Sequence, residues 1–259
     1  MPRPRVISND DRNVRALIAC LAAGLVTLGC GSEPTRPTGS DAETLELRLT
    51  TTHFRLFAGR APTTVVQSAA DALEREYARV LSDLNVTTPL GPISVQIWQD
   101  EATYYGVLDR YFGVHYQATG YVTSGDELRV LAVSQLDVNV VHEFCHAVSL
   151  SVSSTFGNNP RWLWETVALY ENGELVQPRT LDYMVRGAYP SLADLNADPN
   201  AGRQIYQVGY VIGEFIVARW NRTGLLNLIR AHGDVTAVFG MTPAAFEAEM
   251  YAWIRAKYL

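Results

Sequence analysis

The sequence predicts an α+β fold, in which strands dominate the first half of the folded region and helices the second. Up to about residue 133, short stretches rich in β-branched and aromatic residues alternate apolar and polar side chains, which is typical of strands. From Leu136 onward, apolar residues recur mainly at intervals of three and four, which is typical of helices. Strands followed by helices indicate the α+β class. A chain of 259 residues can bury one substantial core.

The predicted elements follow one another in a simple order. Residues 44–59, TLELRLTTTHFRLFAG, are predicted to be rich in strand, and ISVQIWQ, residues 93–99, predicts another strand. An aromatic-rich helix is predicted around residues 104–112, and a hairpin over residues 120–133. Pro62 is predicted to open a further helix, whose apolar positions recur at helical spacing: Val65, Val66, Ala69, Leu73, Tyr77, Val80, Leu81 and Leu84.

The N-terminus indicates a processing signal, predicted over residues 1–29. Four arginines precede an uncharged run, residues 16–28, which is too short to span a bilayer but suits a signal peptide. The run ends in TLGC, and a Gly/Ser/Pro/Thr-rich tether, residues 30–43, begins at Cys30. This order resembles a bacterial lipoprotein signal, in which the cysteine becomes the lipidated first residue, with Thr27 at a position that is usually aliphatic. The alternatives are an ordinary cleaved signal, an uncleaved anchor, or lipidation at Cys20.

The sequence therefore predicts an exported protein of a bacterial cell envelope, attached to the membrane only through a lipid at Cys30. Its folded domain is predicted over residues 44–259, where Cys145 is the one thiol, so a hydrophobic core rather than a disulfide must hold it together. The formal net charge of −6 argues against nucleic acid as a partner.

The segment NVVHEFCHAVSL, residues 139–150, carries two histidines four residues apart. On a helix, His142 and His146 share one face with Cβ atoms about 5–6 Å apart, so both can reach one metal ion. Glu143 lies about 100° round the helix, where it can contact a water without ligating the metal. Two buried imidazoles without partners would cost desolvation free energy. The alternative is that both are core histidines bonded to the backbone, and Cys145 is interpreted as a buried thiol rather than a ligand.

A third candidate ligand lies in GNNPRWLWETVALYENG, residues 157–173. This segment predicts a helix with Asn159 as N-cap and Pro160 at the first helical position. Glu165 falls one turn into the helix, with eighteen residues between it and His146. A single carboxylate in an apolar helix is explained by metal coordination, whereas a solvent-facing glutamate is the alternative. Three protein ligands leave one open position, which is typical of catalytic zinc.

These motifs together resemble the gluzincin metallopeptidases, the family of thermolysin and related zinc aminopeptidases. HEFCH (142–146) is similar to HExxH, and WLWETVALY (162–170) is similar to the WLxEGxAxY helix, with Thr166 in place of Gly. YQVG (206–209) is similar to the YxxG of the aminopeptidase branch. The resemblance covers roughly residues 121–259. It implies a zincin-like metallopeptidase domain with a small N-terminal strand-rich lobe and a helical C-terminal half.

The resemblance also implies the roles of individual residues. His142, His146 and Glu165 are expected to bind Zn²⁺, which lowers the pKa of water from 15.7 to about 7. Glu143 is expected to act as general base and then to protonate the leaving amine. Tyr206 is expected to donate a hydrogen bond to the oxyanion. The alternatives for this last role are a merely packed or surface Tyr206, with Tyr210, one turn on, as the donor.

Two departures from the family pattern bear on function. No GxMEN-like motif precedes the histidine helix, so the aminopeptidase means of anchoring a free amine is missing. Leu169 stands where thermolysin-like chains place the Asp that orients the first histidine, and Glu171 is the candidate replacement. The sequence predicts a zinc peptidase that hydrolyses peptide bonds. The alternatives are a non-catalytic binding module on the same fold and a zinc hydrolase of another amide.

The hairpin GYVTSGDELRVLAV, predicted to turn at Gly125 and Asp126, precedes the histidine helix directly. In the gluzincin pattern an edge strand ahead of this helix holds the substrate backbone by strand addition. The second arm, residues 127–133, alternates as an edge strand does. One arm of the hairpin is therefore expected to line the cleft. The alternative is a hairpin paired on both sides and remote from the metal.

We predict that the mature protein begins at Cys30 and carries an acyl group there. Cys30→Ser should yield unlipidated protein, because the modified thiol is removed, whereas Cys20→Ser should change little. Mass spectrometry of the N-terminal peptide measures both. An unmodified, soluble mature protein that begins elsewhere would contradict the lipid anchor and leave export intact.

Overall fold

The computed structural model describes residues 5–6, 42–113, 117–197 and 203–259, which form a mixed α/β structure. Apart from Arg5–Val6, the predicted signal segment lies outside the described residues, as does the tether up to residue 41 with Cys30. None of the helices that the structure describes is long and apolar enough to cross a membrane.

Five strands form one mixed sheet in the order β2-β3-β4-β6-β5. Strands β3, β4 and β6 run parallel to one another, while β2 and β5 run antiparallel to their neighbours at the two edges. A separate two-residue parallel pair joins β1 to β7. The strand bounds are β1 Arg5–Val6, β2 Glu46–Thr50, β3 Phe54–Ala58, β4 Ile93–Trp98, β5 Gly120–Ser124, β6 Glu127–Leu131 and β7 Glu174–Leu175.

The described part of the chain after β6 is mainly helical, as the sequence predicts. The helix predicted after Pro62 and the aromatic-rich helix are also present, as α1 and α2. The helix bounds are α1 Thr63–Asp83, α2 Glu101–Phe112, α3 Leu136–Val152, α4 Arg161–Asn172, α5 Asp182–Val185, α6 Leu192–Leu195, α7 Ile205–Arg230, α8 Val235–Phe239 and α9 Pro243–Tyr258.

The predicted start of α4 is wrong by one residue. Pro160, not Asn159, is the N-cap, because its backbone is extended (φ −80°, ψ 153°) and the first helical residue is Arg161. The Pro160 carbonyl accepts a helical hydrogen bond from the Trp164 N–H at 3.0 Å. Glu165 therefore lies just over one turn into the helix, as expected.

The sheet packs helices on both of its faces. Helices α1 and α3 cover one face, where the Phe144 ring lies 5.4 Å from that of Phe54 and 5.7 Å from that of Tyr77. The main apolar cluster continues from this face through α4 and α7 to α9, so the strand-rich and helical halves share one core. Helix α2 lies on the other face with a smaller cluster: Trp98, Tyr104, Leu108, Tyr121 and Leu131.

The hairpin turns at Gly125 and Asp126 as predicted, but its second arm is not an edge strand. Strand β6 lies between β4 and β5 and pairs with both, and Leu128 and Val130 on it are fully buried. Strand β5 is the edge of the sheet instead. Alternation of apolar and polar residues shows which face of a strand is buried, but it does not specify the lateral neighbours.

A buried ion cluster fixes α4 between α1 and α7. Glu171 is fully buried, and its Oε1 accepts a hydrogen bond from Arg222 Nη1 at 2.6 Å. Arg79 Nη2 donates to the Glu171 carbonyl at 2.6 Å. Since removing one member of such a cluster leaves a buried charge without compensation, the cluster resists displacement of α4.

Helix α7 approaches α4 closely because two glycines face it. A Cβ atom on Gly209 would lie 2.5 Å from Leu169 Cδ1, and one on Gly213 would lie 2.5 Å from Tyr170 Cβ. A larger residue at either position would push the helices apart. This contact sets how near the N-terminal turn of α7, with Tyr206, comes to Glu165.

Candidate metal centre

The predicted ligand set converges in the interior. His142 and His146 project from one face of α3, with ring centroids 4.8 Å apart, and Glu165 projects from α4. Glu165 Oε2 lies 3.3 Å from His142 Nε2 and 3.7 Å from His146 Nε2. All three side chains are buried, and one donor atom from each lies within 4.8 Å of the others. The group could therefore hold a metal ion.

His142 is oriented by Glu174 rather than by Glu171. Glu174 Oε1 lies 2.8 Å from His142 Nδ1, which leaves Nε2 free to face the ligand group. Asn172 Nδ2 donates to the same Glu174 oxygen at 2.7 Å and to the Val138 carbonyl at 2.9 Å. The expectation for Glu171 is wrong, because this residue lies on the helix side that faces the arginines.

The turn after α4 explains the position of Glu174. Gly173 adopts a left-handed conformation (φ 75°) that ends the helix, which any residue with a Cβ adopts at a cost. The chain then reverses into β7, and Glu174 comes beside His142. In the sequence, Gly173 at the end of the apolar α4 segment is the feature that indicates this turn.

His146 is positioned by stacking. Its ring lies on the Trp164 indole with centroids 4.0 Å apart and an angle of 6° between planes. Its Nδ1 is buried and has no hydrogen-bond partner among the described residues. The ring plane is therefore fixed by an apolar contact from the residue that directly precedes Glu165.

The pKa values of the three side chains are shifted in different directions. Burial alone would lower the pKa of His142, but the charge of Glu174 and hydrogen bonds to Glu165 and Glu174 raise it well above the usual value. Burial lowers the pKa of His146 to about 4. Burial alone would raise the pKa of Glu165, but the hydrogen bond with His142 and the nearby His146 hold it well below its usual range. His146 is thus held as the neutral imidazole and Glu165 as the carboxylate, whereas metal binding would displace a proton from His142.

Glu143 lies beside the ligand group and faces the same cleft. Its side chain is buried, its Oε2 has no hydrogen-bond partner among the described residues, and burial raises its pKa to about 8. Gly120 of β5 packs directly on it, since a Cβ atom there would overlap the carboxylate. The Glu143 side chain is therefore enclosed where α3 meets the edge strand.

The two candidate tyrosines on α7 occupy different environments. The Tyr206 hydroxyl donates to Glu165 Oε1 at 3.0 Å, its side chain is 39% exposed, and it lines the cleft. Tyr210 is buried, with its ring 5.6 Å from that of Tyr170. Of the two, Tyr206 is the one in contact with the ligand group.

A wide cleft of about 2170 Å³ leads to the ligand group. Its walls come from the edge strand β5, the end of α2, helix α3 and the start of α7. The expectation that one arm of the hairpin lines the cleft is confirmed for the first arm, residues 120–124. A groove bounded by a sheet edge can admit an extended chain.

The residues present fit a metal ion. Two imidazoles and one carboxylate are donors that suit zinc, and a cation at their centre would offset the buried charge of Glu165. Sequence reasoning missed the residues that support the ligands, which are Asn172, Glu174 and Trp164, and it missed Gly120, which packs on Glu143. No protein-family model matches the chain, and no curated protein matches its sequence.

We predict that Glu174→Ala weakens metal binding about 10–100-fold, because His142 loses the acceptor that orients its ring. His146→Ala should abolish binding, since it removes a ligand. Competition titration of the metal-free protein with Zn²⁺ and a chromophoric chelator measures both. Glu46→Ala, at an exposed position of β2, is the matched control. Wild-type affinity in Glu174→Ala would contradict the orienting role of Glu174.

Proposed function

We propose that this protein is a zinc-dependent peptidase of the gluzincin type, which hydrolyses peptide bonds. One observation carries the proposal: a buried two-histidine, one-carboxylate group shares a cleft with Glu143 and the edge strand of a sheet. His142, His146 and Glu165 would hold the zinc and leave a position open. When bound, zinc supplies a Lewis acid that polarises a carbonyl group and lowers the pKa of water.

The edge strand supports a peptide as substrate. The Leu131 N–H donates to the Thr119 carbonyl at 2.8 Å, and hydrogen-bonded positions alternate along an antiparallel pair. The main-chain groups of Gly120 and Val122 therefore point away from β6, towards the open edge. A substrate segment can pair with these groups as an added strand.

The size of the cleft also favours a polypeptide over a small amide. At about 2170 Å³ it exceeds the roughly 300–1,000 Å³ of pockets that enclose small molecules. A hydrolase of another, smaller amide has no use for a groove along five residues of strand. The cleft and the edge of β5, with which no second strand pairs among the described residues, together support peptide-bond hydrolysis.

Glu143 is the proposed general base. Its buried carboxyl group faces the cleft beside the ligand group, where it can accept a proton from water and return it to the leaving amine. Tyr206 is the proposed donor to the carbonyl oxygen as negative charge develops there. Its hydroxyl already lies within hydrogen-bond distance of a ligand carboxylate, so it is held at the site.

The burial of Glu143 favours catalysis over a non-catalytic binding module. A buried carboxylate oxygen without a hydrogen-bond partner among the described residues costs free energy. A binding module gains nothing from that cost, whereas a general base needs such an environment.

From the N-terminal sequence pattern we also propose that the peptidase is exported and anchored through a lipid at Cys30.

We predict that Glu143→Gln keeps the fold and the metal but lowers peptide hydrolysis roughly 10²–10⁴-fold or more, because it removes proton transfer and no ligand. Digestion of a peptide library, followed by mass spectrometry, measures activity. Glu46→Gln, on the exposed face of β2, is the control. Near-normal activity in Glu143→Gln would point to another base, and inactive wild-type protein with bound zinc would favour the binding module.

We predict that Gly120→Ala lowers kcat, because the added methyl group displaces either the Glu143 carboxylate or the edge strand. A displacement of about 1 Å at a reacting group can cost about 100-fold in rate. Gly106→Ala is the matched control, since its Cβ would meet only the end of the Arg110 side chain at 3.7 Å. Equal kcat values for the two variants would show that Gly120 does not position the base.

A further inference from the structure

The exposed large apolar side chains are concentrated in the cleft. Seven such residues occur among those the structure describes, and four of them line this groove. Tyr111 is 50% exposed and Phe112 is 41% exposed, although both lie at the end of an amphipathic helix. Gly113 ends α2 in a left-handed conformation (φ 72°), so these two side chains lie at its last turn. Apolar surface gathered in a groove indicates a binding surface.

Three rings form one surface, which we call the aromatic shelf: Tyr111, Phe112 and Tyr121. The Tyr111 and Phe112 centroids are 5.0 Å apart, and each lies 5.7 Å from that of Tyr121. The Arg129 guanidinium lies 6.0 Å from the Tyr111 centroid and 5.7 Å from that of Tyr121. Glu127 pairs with Arg129 at 2.7 Å, so the shelf presents apolar rings over a neutralised ion pair.

The shelf lies on the opposite face of β5 from Glu143. Gly120 packs against Glu143, and Val122 packs against the main core, so both face α3. Tyr121, between them, belongs to the cluster under α2 on the other face. This is the alternation that a strand requires, because successive side chains point to opposite faces.

A peptide paired with β5 must alternate in the same way. Residues directly opposite each other in a strand pair project to the same face. The substrate residue opposite Gly120 therefore projects towards Glu143, and its neighbour opposite Tyr121 projects towards the aromatic shelf. The register of the added strand links the place of cleavage to the residue that contacts the shelf.

We propose that the aromatic shelf is a specificity subsite, which takes an aromatic or large aliphatic side chain of the peptide substrate. The subsite serves the residue next to the one that lies opposite Gly120. The half-exposed rings of Tyr111 and Phe112, which lie against the buried Tyr121 at the edge of the described sheet, are covered when such a side chain packs on them, and a small or charged side chain leaves them in water. The proposal rests on the proposed function, because it requires a bound peptide strand.

The test uses blocked octapeptides of alanine, serine and glutamine, with one phenylalanine placed at each position in turn. A peptide without phenylalanine is the reference. Cleavage by the wild-type zinc protein gives kcat/KM for each peptide, and calorimetric titration of Glu143→Gln gives binding without hydrolysis. The variants are Tyr111→Ser, Phe112→Ser and their combination, and Leu47→Ser/Val185→Ser is the matched control at exposed apolar positions outside the cleft.

We expect phenylalanine at one position relative to the cleaved bond to raise kcat/KM about tenfold or more over the reference peptide. The ratio should fall towards one in Tyr111→Ser/Phe112→Ser and stay unchanged in the control. The affinity of Glu143→Gln should show the same preference, and the same loss when the shelf variants are added to it. Circular dichroism of each variant confirms the fold, and the single variants should show the same direction of change.

The outcomes separate the subsite from the proposed function. Cleavage without an aromatic preference, or a preference that survives the double variant, overturns the subsite and leaves the peptidase function standing. Shelf-dependent binding by Glu143→Gln, with no cleavage by the wild-type protein, supports the subsite and overturns the peptidase function. Absence of both binding and cleavage overturns both.

Discussion

The contact of one carboxylate with two histidines is the constraint on which the rest of this structure depends. Glu165 is buried and ionised, and such a group is tolerated only where opposite charge or hydrogen bonds compensate it. The compensation comes from His142 and His146, which belong to another helix, so α3 and α4 must hold one fixed distance and rotation. The Glu171 cluster and the glycines of α7 fix α4 against α1 and α7. The packing of the interior therefore fixes the relative positions of the His142, His146 and Glu165 side chains.

The site is a costly part of the fold. His146 Nδ1 and Glu143 Oε2 are both buried without hydrogen-bond partners among the described residues, and each lowers the stability of the metal-free protein. Buried groups of this kind are typical of functional sites, where local rules are broken and the surrounding core compensates. The surrounding core is continuous here, since one apolar cluster joins the sheet to the C-terminal helices.

The ligand group could be predicted from sequence because its geometry is local. The spacing of His142 and His146 on one helix face follows from helix periodicity, and Glu165 lies in an apolar helix that gives its charge a buried setting. Glu174 could not be found in the same way, because its place depends on the left-handed turn at Gly173. The order of the strands in the sheet could not be predicted either. The alternation of residues in β6 shows only that its side chains point to two faces of the sheet, and the pairing with β4 and β5 is what shows that it is an inner strand.

The edge strand divides the cleft into two surfaces. One face of β5 meets α3 and Glu143, which are continuous with the main core, while the other carries Tyr121 and the smaller cluster under α2. These surfaces lie on opposite faces of one strand, and substitutions at separate sites that share no partners have nearly additive effects. Substitutions in α2 can then alter the proposed subsite while the ligand group keeps its geometry. The same strand would transmit the register of a bound peptide from one surface to the other, because a shift of one residue exchanges the two faces. Recognition at the shelf would in that way decide which peptide bond lies beside Glu143.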